Sequence, residues 1–230
     1  MDKSIYGKEY FEKVNRVDAR EKRLISEANF GSLLKKKKNI KRILDIGCGT
    51  GEFLGVCSEK GISCWGVDVS RWAISEAKSI GGVKLAVWNI EKKKWPFGDN
   101  FFDTVCAFDV LEHLKNSDFV MAEAYRVLKG GGIFFATTPN GNLQRSIFKN
   151  LLPKDPTHIN IQREGWWRQS LSGLGFGEIE VLGCLFFCFP PIPKLREYLR
   201  KIGIGSWVHP QFSKIKSICG TLYIYATKRA

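Results

Sequence analysis

Length and composition indicate one folded domain. The chain has 230 residues, of which 44% are hydrophobic and 26% are charged, a balance typical of globular domains and not of disordered chains. Its 36 basic residues outnumber 23 acidic ones and give a net charge of +13, which favours polyanionic partners such as nucleic acid or anionic lipid, with simple solubility as the alternative. No run reaches the roughly 18 apolar residues that a membrane-spanning helix needs.

The cysteines predict a reducing compartment. The seven cysteines are odd in number and irregular in spacing, and several lie in apolar runs where buried free thiols occur. Cys184 and Cys188 lie four residues apart, but no nearby histidine or second cysteine pair completes a zinc-binding set. We therefore predict no metal site. Because the first residues form no apolar signal core, we expect the protein to be cytoplasmic.

The chain begins with a predicted helix and then alternates between strands and helices. Apolar residues recur at three- and four-residue steps from Tyr6 to about Leu34, which predicts a helix. Short apolar runs predict strands at residues 42–46, 63–68, 83–88, 102–108 and 133–137. Helical patterns that end at glycines or polar residues lie at residues 52–60, 72–80 and 118–128. This alternation is typical of a parallel sheet with right-handed crossovers.

The last third of the chain is less regular. It predicts a helix at residues 163–174 and strands at residues 177–187 and 221–227. Residues 188–220, between these two strands, contain three prolines and a basic helical stretch. Because this connection is too long for a hairpin turn, we interpret it as an insertion or lid.

A glycine-rich loop follows the first predicted strand. Residues 45–51 read Asp-Ile-Gly-Cys-Gly-Thr-Gly, and glycines at such a turn let the backbone approach a ligand closely. Asp68 ends the second predicted strand about twenty residues later, where a carboxylate can bind both hydroxyls of a ribose. Together these features predict a nucleoside pocket at the carboxyl edge of the sheet. Dinucleotide-binding proteins carry G-x-G-x-x-G at this turn, whereas the order here is G-x-G-x-G.

The loop resembles motif I of the class I S-adenosylmethionine-dependent methyltransferases, and other segments extend the resemblance. Residues 95–103 (WPFGDNFFD) are similar to the family's LPFPDNSFD stretch, and residues 109–114 (DVLEHL) are similar to its LEHL segment. Residues 127–132 (VLKGGG) and 138–140 (TPN) resemble the turn into the fifth strand and the segment after it. The match covers residues 40–140 well.

The resemblance, which extends more loosely over residues 155–180, implies an α/β fold. The expected architecture is a Rossmann-like, doubly wound, mostly parallel seven-stranded sheet with an antiparallel last strand and helices on both faces. Residues 1–230 would form a single domain. Its expected parts are an N-terminal helical cap at 1–39, a cofactor-binding core at 40–140, an acceptor-side loop, helix and strand at 141–182, an insertion or lid at 183–220, and the last strand at 221–230.

The resemblance also implies that S-adenosylmethionine is the cofactor and S-adenosylhomocysteine its product. Asp68 would bind the ribose hydroxyls, and Val69 would pack on the adenine. Asn89 stands where the family usually has an aspartate that binds the adenine amino group, and its amide oxygen can still accept that hydrogen bond. The expected cofactor-binding residues are Asp45, Gly47, Cys48, Gly49, Gly51, Asp68, Val69, Asn89, Ile90, Phe108, Asp109 and His113.

His158 is the candidate catalytic residue. A sulfonium is already a strong electrophile, so a base is needed only where the acceptor is a hydroxyl or a protonated amine. Related small-molecule methyltransferases carry a histidine facing the acceptor in the connection after strand five, where His158 lies; the structural alternative is a histidine that holds a backbone carbonyl. The aromatic residues Tyr6, Tyr10 and Phe11 would either close over the cofactor or pack against the sheet.

Three functions fit these residues. The first is methyl transfer to a small-molecule acceptor related to lipids, quinones or glycans, with peripheral membrane contact through residues 183–220 as one option. The second is methylation of RNA or other nucleic acid, which the net charge favours; however, residues 108–111 (FDVL) stand where amino-directed enzymes of this fold carry an Asn-Pro-Pro-Tyr-type tetrapeptide. The third is a partner protein that binds the cofactor without catalysis. A nicotinamide-dependent dehydrogenase is disfavoured by the glycine spacing.

Overall fold

A computed structural model gives the fold over residues 6–14, 19–144, 155–186, 210–213 and 220–230. The strands are β1 Arg42–Ile46, β2 Ser63–Asp68, β3 Val83–Val87, β4 Phe102–Phe108, β5 Leu128–Pro139, β6 Phe176–Phe186, β7 Pro210–Ser213 and β8 Thr221–Lys228. The helices are α1 Lys8–Val14, α2 Ala19–Lys36, α3 Glu52–Glu59, α4 Arg71–Ala77, α5 Ser117–Val127, α6 Gly141–Gln144 and α7 Glu164–Gly173, with a 3₁₀ turn at Leu111–His113.

The strands form one mixed sheet in the order β3-β2-β1-β4-β5-β8-β6-β7. The first five strands pair in parallel, and β8 runs antiparallel to both β5 and β6. The predicted α/β architecture is thereby confirmed, including the antiparallel last strand. The sheet also contains an eighth strand, β7, which pairs with the end of β6.

Strand β7 changes the interpretation of the segment 183–220. Residues 183–186 complete β6, and Pro210–Ser213 pair with them at the edge of the sheet. This part of the expected insertion therefore belongs to the sheet itself. Residues 187–209 and 214–219, on which the expected lid and membrane contact depend, lie outside the described residues.

Side-chain alternation along the central strands divides the core into two layers. Leu44 and Phe134 belong to one buried cluster, whereas their neighbours Ile43 and Phe135 belong to the other, because successive side chains of a strand point to opposite faces. Helices α5 and α7 cover the first layer, and α2, α3 and α4 cover the second. Both faces of β4 are thus buried, which explains why its residues 105–108 (VCAF) are all apolar.

One predicted boundary was wrong. Strand β5 begins at Leu128, directly after α5, and not at Ile133. The glycines at 130–132 do not separate a helix from a strand, as predicted, but lie within β5. There the pairing between β4 and β5 is irregular, since the register shifts between Phe102 and Thr104. Helices α1 and α2 both lie within or close to the predicted N-terminal helix, and residues 15–18 between them lie outside the described residues.

Within the described part of the chain, no helix is long and apolar enough to cross a membrane.

Candidate functional site

A cavity of about 630 Å³ opens where the carboxyl ends of β1, β2 and β4 meet. Ligands bind at this edge in doubly wound sheets, and the volume lies in the range of small-molecule pockets. Eleven of the twelve predicted cofactor-binding residues line the cavity. The exception is Gly51, which caps α3 and packs toward Ile80.

The loop between β1 and α3 has a backbone that only glycine adopts freely. Gly47, Gly49 and Gly51 have φ angles of 72°, 53° and 85°, in the left-handed region that disfavours a side chain. A Cβ atom at Gly47 would lie 2.3 Å from Val110 Cγ2, whereas at Gly49 the nearest atom is a Phe11 ring carbon at 3.6 Å. The backbone at Gly49 is therefore free to face a ligand.

Asp68 holds this loop at the end of β2. Its Oδ2 accepts the Gly49 N–H at 2.9 Å, and its Oδ1 accepts the Ser70 N–H at 2.7 Å. Burial raises the pKa of Asp68, while these backbone donors act in the opposite direction. Each carboxylate oxygen keeps a second lone pair, so the side chain can also accept hydrogen bonds from a ligand in the cavity.

Asp45 is a second buried carboxylate in the same wall. Only 3% of its surface is exposed, and its Oδ1 has no hydrogen-bond partner among the described residues. Burial, followed by the negative charge of Asp68, raises the pKa of Asp45 well above its usual range. An unpaired buried carboxylate is costly, and a positively charged ligand group or a hydrogen-bond donor in the cavity would relieve that cost.

The amide of Asn89, which lies just after β3, is oriented differently from what the resemblance implied. Its Oδ1 already accepts the Glu91 N–H at 3.0 Å, and its Nδ2 is buried without a partner among the described residues. If the two amide atoms were exchanged, the Nδ2 donor would face the Glu91 N–H donor. The Glu91 N–H therefore determines the orientation of the Asn89 amide. Trp88 Nε1, which is similarly unpaired, belongs to a residue that also lines the cavity but was not predicted.

The opposite end of the cavity gathers imidazoles and carboxylates. His158 Nε2 lies 3.6 Å from Asp155 Oδ2, and the His158 and His113 rings lie 4.8 Å apart. Burial, followed by the proximity of His158, lowers the pKa of His113. Asp109 accepts a hydrogen bond from the Thr137 hydroxyl, and burial raises the pKa of Asp109.

Aromatic residues of the N-terminal segment cover the cavity. Tyr6, Tyr10 and Phe11 all line it, and the Phe11 ring lies 5.3 Å from that of Trp72. Burial, followed by the charge of Asp155, raises the pKa of Tyr6 to about 12. Of the two expected placements for these residues, closure over the cavity is the one observed.

The cavity is acidic although the chain is strongly basic. Its described lining holds one lysine, Lys22, and six carboxylates. The carboxylates belong to Asp45, Glu52, Asp68, Asp109, Glu112 and Asp155. Of these, Glu52, Glu112 and Asp155 were missed as site residues. The signal for Glu112 was its position directly before His113, and the signal for Asp155 was its position three residues before His158.

The sheet order and the glycine loop define a nucleoside-binding protein of the doubly wound α/β class. The sequence profile of a family described as "Methyltransferase domain" matches residues 16–181, and the chain belongs to the class I S-adenosylmethionine-dependent methyltransferases. Eleven of the twelve residues that the resemblance to this family predicted as cofactor-binding, all but Gly51, line the cavity.

The similar proteins include bacterial enzymes. The ubiquinone biosynthesis O-methyltransferase of Marinobacter nauticus is 31% identical over 185 residues, which are 74% of this chain and 76% of that protein. The enzyme of the same name from Pelagibacter ubique is 32% identical over 127 residues, 54% of this chain and 52% of that protein. The chain therefore spans about half the length of several curated relatives that it matches.

A solved structure shows the same fold. The methyltransferase from Archaeoglobus fulgidus superposes with a TM-score of 0.67 at 22% identity, over 91% of this chain and 96% of that one. At this identity the likeness concerns the fold alone.

Proposed function

We propose that the protein transfers a methyl group from S-adenosylmethionine to a small-molecule acceptor. One observation supports this proposal most strongly. In the same wall of the cavity, the backbone of Gly49 is open to a ligand, and the buried Asp45 Oδ1 has no hydrogen-bond partner among the described residues. When bound, S-adenosylmethionine supplies a methyl group on a positively charged sulfonium. The acidic lining suits that charge, and Asp68 would hold the ribose.

The chain's own residues would align the reactants and exclude water. Tyr6, Tyr10 and Phe11 cover the cavity, and their aromatic faces would also favour a cation by about 0.5–2 kcal/mol. His158 lies beside Asp155 at the acceptor end, where it would remove the proton of an acceptor hydroxyl. The Asp155 carboxylate would stabilise the imidazolium that forms.

The acceptor is proposed to be a hydroxylated ring related to quinone precursors. Two relatives are named ubiquinone biosynthesis O-methyltransferases, and the aromatic lining suits a flat ring. Nucleic acid is the weaker candidate, because the six carboxylates around the cavity would repel a phosphate backbone.

Calorimetric titration with S-adenosylmethionine, S-adenosylhomocysteine and NAD tests the cofactor. We expect the first two to bind and NAD not to bind, with binding lost in Asp68→Ala. A variant of the exposed acid Glu76→Gln serves as the control and should bind like the original chain. Binding of NAD alone would contradict the proposal, and so would equal binding by the Asp68→Ala variant.

Methyl transfer to a panel of catechols, quinols and amines tests the acceptor and the base. We expect the His158→Ala variant to bind S-adenosylmethionine normally but to lose about 10²- to 10⁴-fold in turnover, the usual contribution of a general base. Full turnover by this variant would assign His158 a structural role instead.

A further inference from the structure

Three side chains at the acceptor end are arranged like metal ligands. Glu112, His113 and His158 each offer one ligand atom, and these atoms all lie within 4.8 Å of one another. We propose that they form a binding site for a divalent transition-metal ion such as Zn²⁺ or Co²⁺. This contradicts our expectation from the sequence that the protein has no metal site.

The Glu112 carboxylate has little compensation for its burial. The residue is fully buried, and neither of its carboxylate oxygens makes a hydrogen bond of good geometry in the described part of the chain, although the nearby Thr138 hydroxyl interacts with the carboxylate. A buried carboxylate with so few partners is costly unless it is neutralised or bound to a cation. A metal ion between Glu112 and the two imidazoles would provide that compensation.

Backbone hydrogen bonds bring the three ligands together from distant parts of the sequence. The Glu112 carbonyl oxygen accepts the N–H groups of Ile159 and Asn160 at 2.9 and 2.8 Å. These bonds join the 3₁₀ turn after β4 to the loop that carries His158. The arrangement is therefore built into the backbone and does not depend on flexible surface side chains.

The hydrogen bonds of Thr157 prepare His113 as a ligand. The Thr157 hydroxyl donates to Asp155 Oδ1 at 2.6 Å, so its oxygen can only accept from His113. His113 Nδ1 lies 3.0 Å from that hydroxyl oxygen and 3.2 Å from the Thr157 carbonyl oxygen. Nδ1 therefore carries the proton, and Nε2 keeps the lone pair that a metal requires.

The ligand types favour a transition metal over Mg²⁺ or Ca²⁺. Imidazole nitrogen suits zinc, cobalt, nickel and iron, whereas magnesium and calcium prefer an all-oxygen shell. Bonds of about 2.0–2.1 Å from zinc to nitrogen require the three side chains to draw closer than their present spacing. The surrounding charge is favourable, since Asp155 lies 3.6 Å from His158 and Asp109 lines the same cavity.

Three protein ligands leave a coordination position open, as in catalytic metal sites. All three residues line the cavity, so the open position would face the acceptor. On the proposed function, an acceptor hydroxyl bound there would lose its proton to water more readily, because a metal lowers the pKa of a coordinated oxygen. Metal binding uses one nitrogen of His158. In the metal-bound protein His158 would therefore hold the ion that activates the hydroxyl and would not itself remove the proton.

Titration of the metal-stripped full chain with Co²⁺, without cofactor or acceptor, tests the site. We expect one Co²⁺ per chain with visible absorption bands of nitrogen and oxygen coordination, and displacement by Zn²⁺. Affinity should fall at least tenfold in His158→Ala and in Glu112→Gln. The variant Glu76→Gln, at an exposed acid, is the control and should bind Co²⁺ normally.

Thermal unfolding of each variant shows whether a loss of Co²⁺ binding results from the removed metal ligand or from failure to fold. If Glu112→Gln does not fold, the partly exposed His158 decides the outcome through His158→Ala. Absence of Co²⁺ binding, equal binding by all variants, or binding of Mg²⁺ in place of Co²⁺ would overturn the proposal. Since the titration omits S-adenosylmethionine, its result is independent of the cofactor experiment.

Discussion

Asp68 ends β2, Asn89 follows the neighbouring strand β3, and both line the same cavity, but they offer different chemistry to a nucleoside. Both oxygens of Asp68 already hold backbone N–H groups and each keeps a further lone pair. The Asn89 oxygen accepts the Glu91 N–H and keeps one lone pair, but the atom beside it is a donor, Nδ2, where an aspartate would have a second acceptor. An amino group of adenine is itself a donor, so this edge of the pocket is not fully complementary to it.

We therefore expect Asn89→Asp to bind S-adenosylmethionine more tightly. One aspartate oxygen would still accept the Glu91 N–H, and the second would replace Nδ2 by an acceptor. The gain should be about tenfold in Kd, which corresponds to one hydrogen bond of about 1.4 kcal/mol. Calorimetry would measure it, with Asn116→Asp, at the cap of α5, as the control. Weaker binding by Asn89→Asp would show that Nδ2 itself contacts the cofactor.

The buried carboxylates predict a pH dependence of cofactor affinity. Burial raises the pKa of both Asp45 and Asp68, so on acidification they take up protons earlier than ordinary aspartates do. The ionised forms favour the positively charged S-adenosylmethionine, and this advantage is lost as the pH falls through the raised pKa values. S-adenosylhomocysteine lacks that charge, so its affinity should fall less. Parallel titrations across the acidic range would test this, and equal losses for both ligands would contradict it.

Among the elements, the loop between β1 and α3 combines two separate requirements for glycine. Gly47 has a φ of 72° and no room for a Cβ atom, because Val110 lies in the way. Gly61, after α3, has a similar φ of 75° but nothing within 4 Å of a Cβ position. An alanine at Gly61 would therefore introduce backbone strain alone, whereas an alanine at Gly47 would add steric overlap to that strain.

We expect Gly61→Ala to lower the free energy of unfolding by about 1–2 kcal/mol, from left-handed strain alone. Gly47→Ala should cost a further amount of about 1–3 kcal/mol, since the Cβ atom overpacks against Val110. Urea unfolding of the two variants measures the difference. Equal losses would mean that the loop relaxes around the added methyl group. Cofactor affinity should fall only in Gly47→Ala.

At the scale of the whole molecule, net charge and local charge point in opposite directions. The chain carries +13, yet its cavity is lined by six carboxylates and one lysine among the described residues. The basic residues of the described part of the chain therefore lie mainly away from the cavity, and we expect polyanion binding and methyl transfer to occur at different places.

Labelled RNA should accordingly bind only at low salt, and its affinity should fall steeply as the salt concentration rises. Saturating S-adenosylhomocysteine should not displace the RNA, and no methyl group should be transferred to it. Fluorescence anisotropy and transfer of a radiolabelled methyl group measure the two effects. RNA that competes with S-adenosylhomocysteine, or that becomes methylated, would revive the nucleic-acid alternative.

The local sequence determined most of the fold. The seven predicted strands and the glycine loop could be read from the sequence because apolar runs and glycine turns are patterns of neighbouring residues. The ordered motifs also indicated Asp68 and most residues of the cavity. Boundaries near residues 128–133 were wrong because glycine there marks an irregular strand, which depends on the pairing partner.

Only the tertiary structure decided the contents of the acceptor end. Glu112 and His158 lie far apart in sequence and meet because a backbone carbonyl accepts two N–H groups from the His158 loop. The engagement of the Asn89 oxygen and the isolation of the Asp45 carboxylate likewise depend on neighbours that folding brings close. Residue types along a chain determine which groups are available. Which of them remain unpaired, and so free to bind a ligand, depends on packing in three dimensions.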